Sequence, residues 1–344
     1  MKQGISKRVL VIGPSWVGDM VMAQSLFRQL KAQSDCSIDV LAPAWSRALL
    51  DRMPEVSASL ELPFVHGQLD FPGRYRLGKS LRKAGYDQAI VLPNSFKSAL
   101  PAVFARIPRR TGWRGEARGM LLNDCRVLDT RNYPLMVQRF VALALDPGAA
   151  LPQVLPRPRL QTETGSVSQT LESLKLDTDR PVLALCPGAE FGDAKQWPAA
   201  HYAAVASSRL AEAWQIWLLG SARDSAVAQE VLEHVPAHLR PHCHDLTGTT
   251  TLGQAIDLLS VAQAVVSNDS GLMHVAAALD RPLVVLYGST SSDFTPPLAD
   301  RVAMLATDIE CRPCFQRRCP LKHKRCLTEL SPSLVLEQLA TLAP

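Results

Sequence analysis

The sequence predicts an α/β protein of two domains, each a doubly wound parallel sheet with helices on both faces. Short apolar strands alternate with helical patterns along most of the chain, and this alternation stops once and then restarts. A length of 344 residues also suits two domains of about 150 residues better than one core. Ligands are therefore expected beyond the carboxyl ends of the strands, in a cleft faced by both domains.

The first half opens with a buried strand and a helix that has one apolar face. The predicted elements are 8–12, 20–31, 38–42 and 88–92, and helical stretches continue as far as Leu145. Four prolines then follow within a short segment, at 147, 152, 156 and 158. Because proline at this density resists regular structure, we place a linker here and predict domains 1–160 and 161–344. The last helix could pack back on the first domain.

The second half restarts the same pattern with an apolar strand. The predicted strands are 182–186, 215–219, 264–266 and 283–287, with helices at 198–212, 225–235, 252–261 and directly after Asp269. The carboxyl ends of these strands should lie at one edge of the sheet.

Composition excludes several classes of protein. A hydrophobic fraction of 47% and a charged fraction of 20% are typical of a soluble globular protein. The apolar run at 9–12 is too short for a signal peptide, and no stretch reaches the roughly 20 apolar residues of a membrane span. We therefore expect a cytoplasmic protein. The net charge of +5 is modest and no nucleic-acid-binding signature is present, so no nucleic-acid partner is expected.

Positive charge is concentrated in one segment of the first half. Five arginines lie close together against the single carboxylate of Glu116: Arg106, Arg109, Arg110, Arg114 and Arg118. Such a patch attracts anionic surfaces, including phosphorylated lipid headgroups. A solvated basic loop is the alternative interpretation.

The segment SNDSGLMHVAAAL, residues 267–279, follows an apolar strand and runs into a helical pattern. A helix that begins at this point offers unpaired N–H groups and the positive end of its dipole, which together bind anions. Asp269 beside it accepts hydrogen bonds from hydroxyl groups. The alternative is that Asp269 or Ser270 only N-caps the helix.

The loop GPSWVGD, residues 13–19, occupies the first strand-to-helix connection, but it lacks the spacing of a dinucleotide fingerprint or P-loop. Because a carboxylate would repel a pyrophosphate, Asp19 is instead a candidate general base, with a helix N-cap as the alternative. In the loop CPGAEFGDAKQWP, residues 186–198, Gly188 allows close backbone approach and Lys195 supplies a charge for phosphate oxygens. Asp224 could contact a ribose or cap a helix.

Five motifs together resemble the ADP-heptose:lipopolysaccharide heptosyltransferases. They are GPSWVGD, PNSFKSAL (93–100), RTGWRGE (110–116), PGAEFGDAKQWP and SNDSGLMHVAAAL, in order along essentially the whole chain. The first and third are most similar to the branch that adds the second heptose of the inner core.

The resemblance implies a GT-B fold, two Rossmann-like domains facing a cleft, and transfer with inversion of L-glycero-D-manno-heptose from ADP-heptose to heptosyl-Kdo2-lipid A. Asp19 matches the family's base and Lys195 its phosphate-binding lysine. The donor side further comprises Gly188, Asp224, Asp269, Ser270, Gly271 and Leu272. Lys97, Arg110, Arg114 and Arg118 could hold acceptor phosphates at the cytoplasmic face of the inner membrane. No cofactor or metal is required, and the triplet Asp177-Thr178-Asp179 precedes a strand instead of following one.

Other interpretations stay open at this stage. A transferase acting on Kdo or on a later core sugar, a nucleotide-sugar epimerase of similar architecture, and a binding protein without turnover share parts of the pattern. Four cysteines, Cys311, Cys314, Cys319 and Cys326, have a spacing that could hold a structural zinc ion, while free thiols are the other possibility in a cytoplasmic chain.

Overall fold

Two six-stranded sheets form the framework of this computed structural model, which describes residues 7–64 and 67–343. The chain divides into two compact units, Met1–Pro158 and Arg159–Pro344. Every pair of neighbouring strands runs parallel, which confirms the predicted α/β class. In the part of the chain described here, no helix is both long and apolar enough to cross a bilayer.

The first unit has the strand order β3-β2-β1-β4-β5-β6. Its core strands are almost fully buried because helices cover both faces, so they carry continuous apolar runs. The elements are β1 (Lys7–Ile12), α1 (Val17–Gln33), β2 (Cys36–Ala42), α2 (Arg47–Leu50), β3 (Ala58–Glu61), α3 (Phe71–Leu81), β4 (Gln88–Val91), α4 (Phe96–Phe104), β5 (Arg109–Trp113), β6 (Asp124–Arg126) and α5 (Met136–Ala144).

The second unit has the order β12-β11-β10-β7-β8-β9. Its elements are α6 (Thr164–Leu174), β7 (Val182–Cys186), α7 (Ala199–Ala211), β8 (Gln215–Leu218), α8 (Ser225–His234), β9 (Cys243–Asp245), α9 (Leu252–Val261), β10 (Ala264–Asn268), α10 (Gly271–Ala278), β11 (Leu283–Tyr287), β12 (Val302–Ala306), α11 (Arg325–Thr328) and α12 (Pro332–Leu342). Helix α12 packs on α7, β11 and β12 of the second unit. The sequence alone had also allowed this helix to pack on the first unit.

Each sheet has a topological switch point, where the chain leaves one side of the sheet and continues on the other. In the first unit it lies between β1 and β4, and in the second between β7 and β10. Loops at the carboxyl ends of two such strands diverge and leave a crevice, where α/β proteins bind ligands. The four sequence motifs at residues 13–19, 93–100, 186–198 and 267–279 follow these four strands.

Candidate functional site

The switch point of the second unit is organised by the buried side chain of Asn268, at the end of β10. Its Oδ1 accepts a hydrogen bond from the Trp197 backbone N–H at 3.1 Å, and its Nδ2 donates to the Pro187 carbonyl at 2.8 Å. One amide therefore holds both ends of the loop that carries Lys195.

Asp269 lies next to Asn268 and is 5% exposed. Its Oδ2 accepts hydrogen bonds from Lys195 Nζ at 2.6 Å and from Thr290 Oγ1 at 2.5 Å. Lys195 Nζ also lies 3.3 Å from the Asp269 carbonyl oxygen. The structure thus brings together two residues that the sequence assigned to the donor side, although they are far apart in the chain.

Thr290 follows β11, the strand that pairs with β10, and is itself held by Arg312. The Arg312 guanidinium donates to the carbonyl oxygens of Gly288 at 2.7 Å, Thr290 at 3.0 Å and Thr307 at 2.8 Å. These three bonds fix the backbone that presents the Thr290 hydroxyl to Asp269.

Helix α10 begins directly beside this network. Ser270 occupies the N-cap position without a side-chain cap bond, and Gly271 and Leu272 open the first turn. The N–H groups of a first helical turn have no intrahelical acceptor, so they point toward the crevice as anion donors. Behind them, burial lowers the pKa of His274 to about 4, so this imidazole is neutral at pH 7.

Gly188, near the start of the loop that carries Lys195, lies directly against Asp224. A Cβ on Gly188 would lie 2.4 Å from the Asp224 carboxyl carbon, so any side chain there would displace the Asp224 carboxylate. Asp224 Oδ2 accepts hydrogen bonds from the Ser221 N–H and hydroxyl, both at 2.8 Å. Asp224 occupies the N-cap position of α8 without a side-chain cap bond there, and its carboxylate instead caps the short turn that precedes the helix.

In the first unit, Asp19 is the third residue of α1, whose N-cap position is Trp16. The N-cap alternative for Asp19 is therefore wrong, because its position is inside the first helical turn. The carboxylate is half-buried at the carboxyl end of β1, where the switch point places it.

Arg118 is fully buried and joins two of the sequence motifs of the first unit. Its guanidinium donates to the carbonyl oxygens of Trp113 and Pro93 and to Asn94 Oδ1 at 2.9 Å. Burial lowers its pKa. This placement differs from the acceptor contact expected for Arg118, because its N–H groups bind the protein's own backbone.

The other predicted acceptor residues differ in exposure. Arg110 donates to the carbonyl oxygens of Leu121 and Ile107, so it too is used internally. Arg114 is exposed, and Lys97 is half-buried near the start of α4. The arginine-rich segment is a loop only in part, because Arg109 and Arg110 lie in strand β5, whereas Arg106, Arg114 and Arg118 lie in the connections around it.

The four C-terminal cysteines line one small cavity of about 30 Å³. Hydrogen bonds from backbone N–H groups, above all that of Lys324, lower the pKa of the Cys319 thiol. Burial raises the pKa of the Cys326 thiol. Within residues 7–64 and 67–343, no group of three or more His, Cys, Asp or Glu side chains is arranged to hold a metal ion. Free thiols stay the expectation here and structural zinc the untested alternative, and metal analysis of protein purified without chelator distinguishes them.

Sequence reasoning did not single out Asn268, Thr290 or Arg312. Asn268 belongs to a quoted motif, and its position at the end of the central strand was the available signal. Thr290 follows the neighbouring strand, so strand order could have pointed to it. Arg312 carries no such signal, because its role depends on the fold of an irregular segment.

Comparisons with known proteins agree with the arrangement of the motifs. The model of glycosyltransferase family 9 (heptosyltransferase) matches residues 74–325. Lipopolysaccharide heptosyltransferase 2 of Salmonella typhimurium is 50% identical over 341 residues, covering 97% of this chain and 98% of that protein. Lipooligosaccharide heptosyltransferase 2 of Haemophilus influenzae is 46% identical over 345 residues, covering 97% and 99%.

A solved structure is similar over almost the same extent. The Escherichia coli ADP-heptose lps heptosyltransferase II has a TM-score of 0.89 with this chain at 47% identity, and the match covers 98% of both chains. The GT-B fold class expected from the sequence is confirmed by this likeness.

Proposed function

Because this chain belongs to glycosyltransferase family 9, the heptosyltransferases, we propose that it transfers heptose in lipopolysaccharide core synthesis. The donor is ADP-L-glycero-D-manno-heptose, the acceptor is the first heptose of heptosyl-Kdo2-lipid A, and the anomeric configuration inverts. The observation that carries this proposal is the network of Lys195, Asp269 and Thr290 at the start of α10.

The second unit supplies the donor side. The ammonium group of Lys195 has three N–H donors, and Asp269 engages it through Oδ2 and the carbonyl oxygen, which leaves a donor for a phosphate oxygen. Ser270, Gly271 and Leu272 provide the helix start for the rest of the diphosphate. Asp269 Oδ1 is the acceptor for a hydroxyl of the donor heptose, and the Gly188 backbone lies close to the nucleotide. Asp224 contacts the ribose from its cap position.

The first unit supplies the acceptor side and the base. Displacement at the anomeric carbon requires that the acceptor hydroxyl lose its proton, and Asp19 takes it. As the bond to ADP breaks, negative charge develops on the diphosphate, and Lys195 with the α10 N–H groups stabilises it. The reaction so described needs no metal ion.

Acceptor phosphates are held in this proposal by Lys97 and Arg114. Arg118 acts indirectly, since its guanidinium group holds the backbone of both motifs that carry those two side chains. Arg110 binds carbonyl oxygens just outside these motifs and so stabilises the neighbouring backbone. A lipid-linked acceptor also brings the protein to the cytoplasmic face of the inner membrane as a peripheral visitor.

An ADP-release assay tests the proposed function. Purified protein with ADP-heptose should release ADP only when heptosyl-Kdo2-lipid A is present, and Kdo2-lipid A should not replace it. An epimerase would convert the donor without acceptor, and a binding protein would do neither. Release of ADP with Kdo2-lipid A alone would assign the first heptose transfer instead.

A further inference from the structure

Helix α3 of the first unit carries an exposed surface that is both apolar and basic. We define the α3 surface as Leu69, Phe71, Tyr75, Arg76, Lys79 and Lys83. Leu69 and Phe71 are each 50% exposed and Tyr75 is 43% exposed, which is unusual for large apolar side chains in one short segment.

The opposite face of α3 is fixed to the protein. A Cβ on Gly78 would lie 2.4 Å from the Phe104 Cβ, so the backbones of α3 and α4 are in close contact. The buried Arg74 guanidinium donates to the carbonyl oxygens of Leu69 at 2.5 Å and Lys97 at 3.2 Å. Asp70 caps the helix by accepting from the Gly73 N–H at 3.0 Å. The helix therefore presents its outer face in a defined orientation.

The charge on this outer face has one sign. Residues 71–84 contain five cations and no carboxylate. Arg74 is buried, and Arg82 donates to the Phe104 carbonyl at 2.8 Å, whereas Arg76, Lys79 and Lys83 are exposed. The Phe71 and Tyr75 rings also contact the Phe104 ring edge-on, with centroids 5.1 and 5.3 Å apart.

We propose that the α3 surface docks the protein on an anionic lipid bilayer. Aromatic and leucine side chains enter the interface between headgroups and acyl chains, and the three cations contact lipid phosphates. Three of the four arginines at 109–118 are used internally, because Arg109 pairs with Asp124 while Arg110 and Arg118 bind backbone carbonyls. The fourth, Arg114, is assigned to the acceptor in the proposed function. The docking rests on the proposed function only in that a lipid-linked acceptor gives the protein a reason to visit a membrane.

The charge contribution is tested by vesicle flotation. The triple variant Arg76→Gln, Lys79→Gln and Lys83→Gln should bind phosphatidylcholine vesicles containing phosphatidylglycerol about 100-fold more weakly. This factor follows from about 1 kcal/mol, or roughly fivefold, per cation near an anionic surface. The matched control removes three exposed cations elsewhere, through Arg47→Gln, Arg131→Gln and Lys175→Gln, and should keep its binding.

The apolar contribution is tested separately. The variant Leu69→Ser and Phe71→Ser should lose flotation at high salt, where screening removes most of the electrostatic attraction. Amide hydrogen exchange should show slower exchange in residues 69–83 when anionic vesicles are added to the unaltered protein. Unchanged hydrogen exchange in residues 69–83 would overturn the proposal, and so would an equal loss of flotation in the control triple variant. If the α3 variants change from dimer to monomer but still float with vesicles, the α3 surface joins two copies of the chain and the proposal is wrong.

Activity on an acceptor without acyl chains separates this proposal from the proposed function. Both α3 variants should release ADP at the unaltered rate with the delipidated heptosyl-Kdo sugar, because no residue of the α3 surface contacts donor or acceptor in the proposed mechanism. If the unaltered protein shows no transfer but still floats with anionic vesicles, the proposed function fails and the docking surface stands. If the unaltered protein transfers heptose but does not float with anionic vesicles, the proposed function stands and the docking proposal fails.

Discussion

The two switch points of this molecule are built on different physical principles. In the first unit, the buried guanidinium of Arg118 holds two loops through neutral backbone and amide oxygens. In the second unit, a lysine and a carboxylate form an ion pair at 2.6 Å directly at the helix start, with a hydroxyl as third partner. The first arrangement fixes the shape of a loop, whereas the second leaves charged groups where a ligand arrives.

This difference predicts how function divides between the units. Buried hydrogen bonds to backbone carbonyls stabilise the fold, because each carbonyl without its donor costs free energy. A charged pair beside a helix start is instead preorganised for an anion and exchanges part of its hydrogen bonding when a diphosphate binds. Variants in the first unit should therefore change turnover or the free energy of unfolding without changing ADP affinity, whereas variants at the Lys195–Asp269 pair should change ADP affinity.

The largest effect is expected from removal of the proposed base. Asp19→Ala should lower turnover roughly 100- to 10,000-fold, the range that a positioned base contributes, while ADP affinity stays unchanged. Lys195→Ala should weaken both ADP binding and turnover, because the ammonium group contacts the diphosphate before and during bond breaking. Steady-state kinetics and calorimetric titration with ADP measure the two quantities.

Asp19→Asn is the matched control for the first of these variants, since it keeps the shape and removes the basic oxygen. It should be as slow as Asp19→Ala. Near-normal turnover in both Asp19 variants, or loss of ADP binding on changing Asp19, would contradict the assignment of base and donor to different units.

A smaller effect, on folding instead of chemistry, is expected for Arg118→Met. Methionine keeps most of the apolar stem but leaves the buried Trp113 carbonyl, the half-buried Pro93 carbonyl and the Asn94 side-chain oxygen without their donor. At about 1 to 3 kcal/mol for each buried unsatisfied group, with partial relaxation, the free energy of unfolding should fall by about 3 kcal/mol. Urea denaturation monitors this change.

The exposed Arg114 provides the comparison for Arg118. Arg114→Met should change the free energy of unfolding by less than about 0.5 kcal/mol, because surface substitutions seldom matter more. ADP affinity should stay the same in both variants, since neither residue belongs to the second unit. Equal stability of the two variants would show that the Arg118 hydrogen bonds do not hold the first unit together.

Much of the fold was predictable because buried parallel strands carry continuous apolar runs. Strands β7 and β11 begin and end at the predicted residues, Val182–Cys186 and Leu283–Tyr287. The helix predicted at 20–31 extends over Val17–Gln33, since its first turn contains a glycine and a carboxylate that give no apolar signal. The loops that carry Asp19, Lys195 and Asp269 could be located in the same way, because each of them begins where a predicted apolar strand ends.

The remaining features depend on tertiary contacts that local patterns do not contain. Strand β5, Arg109–Trp113, was interpreted as a basic segment, yet its arginines pair with Asp124 and with backbone carbonyls. Strand β9 has only three residues, Cys243–Asp245, with a polar sequence at the edge of its sheet. The partnership of Thr290 with Asp269 follows from the pairing of β10 and β11, which a single sequence does not reveal.

A further effect, smaller than that of Arg118→Met, is the response of the two units to acid, because they differ in their buried histidines. Burial lowers the pKa of His201, His244 and His274 in the second unit, to about 4 for His274. The only histidine of the first unit's sequence is His66. A folded pKa below the unfolded value near 6.5 means that the unfolded chain binds the extra proton, so stability is full above pH 6.5 and falls as the pH drops toward 4.

For His274 alone this linkage amounts to about 2 kcal/mol between pH 7.5 and pH 5. In the first unit, burial raises the pKa of Asp124, but hydrogen bonds from Arg126 and Thr111 outweigh burial and lower this pKa to about 2. Because Asp124 therefore stays ionised at pH 5, the first unit should lose stability only at lower pH. Hydrogen exchange at pH 7.5 and pH 5, corrected for intrinsic rates, should therefore show destabilisation of the second unit's strands with those of the first unchanged. His274→Gln should reduce that pH dependence, and an equal acid response of both units would contradict the contrast between them.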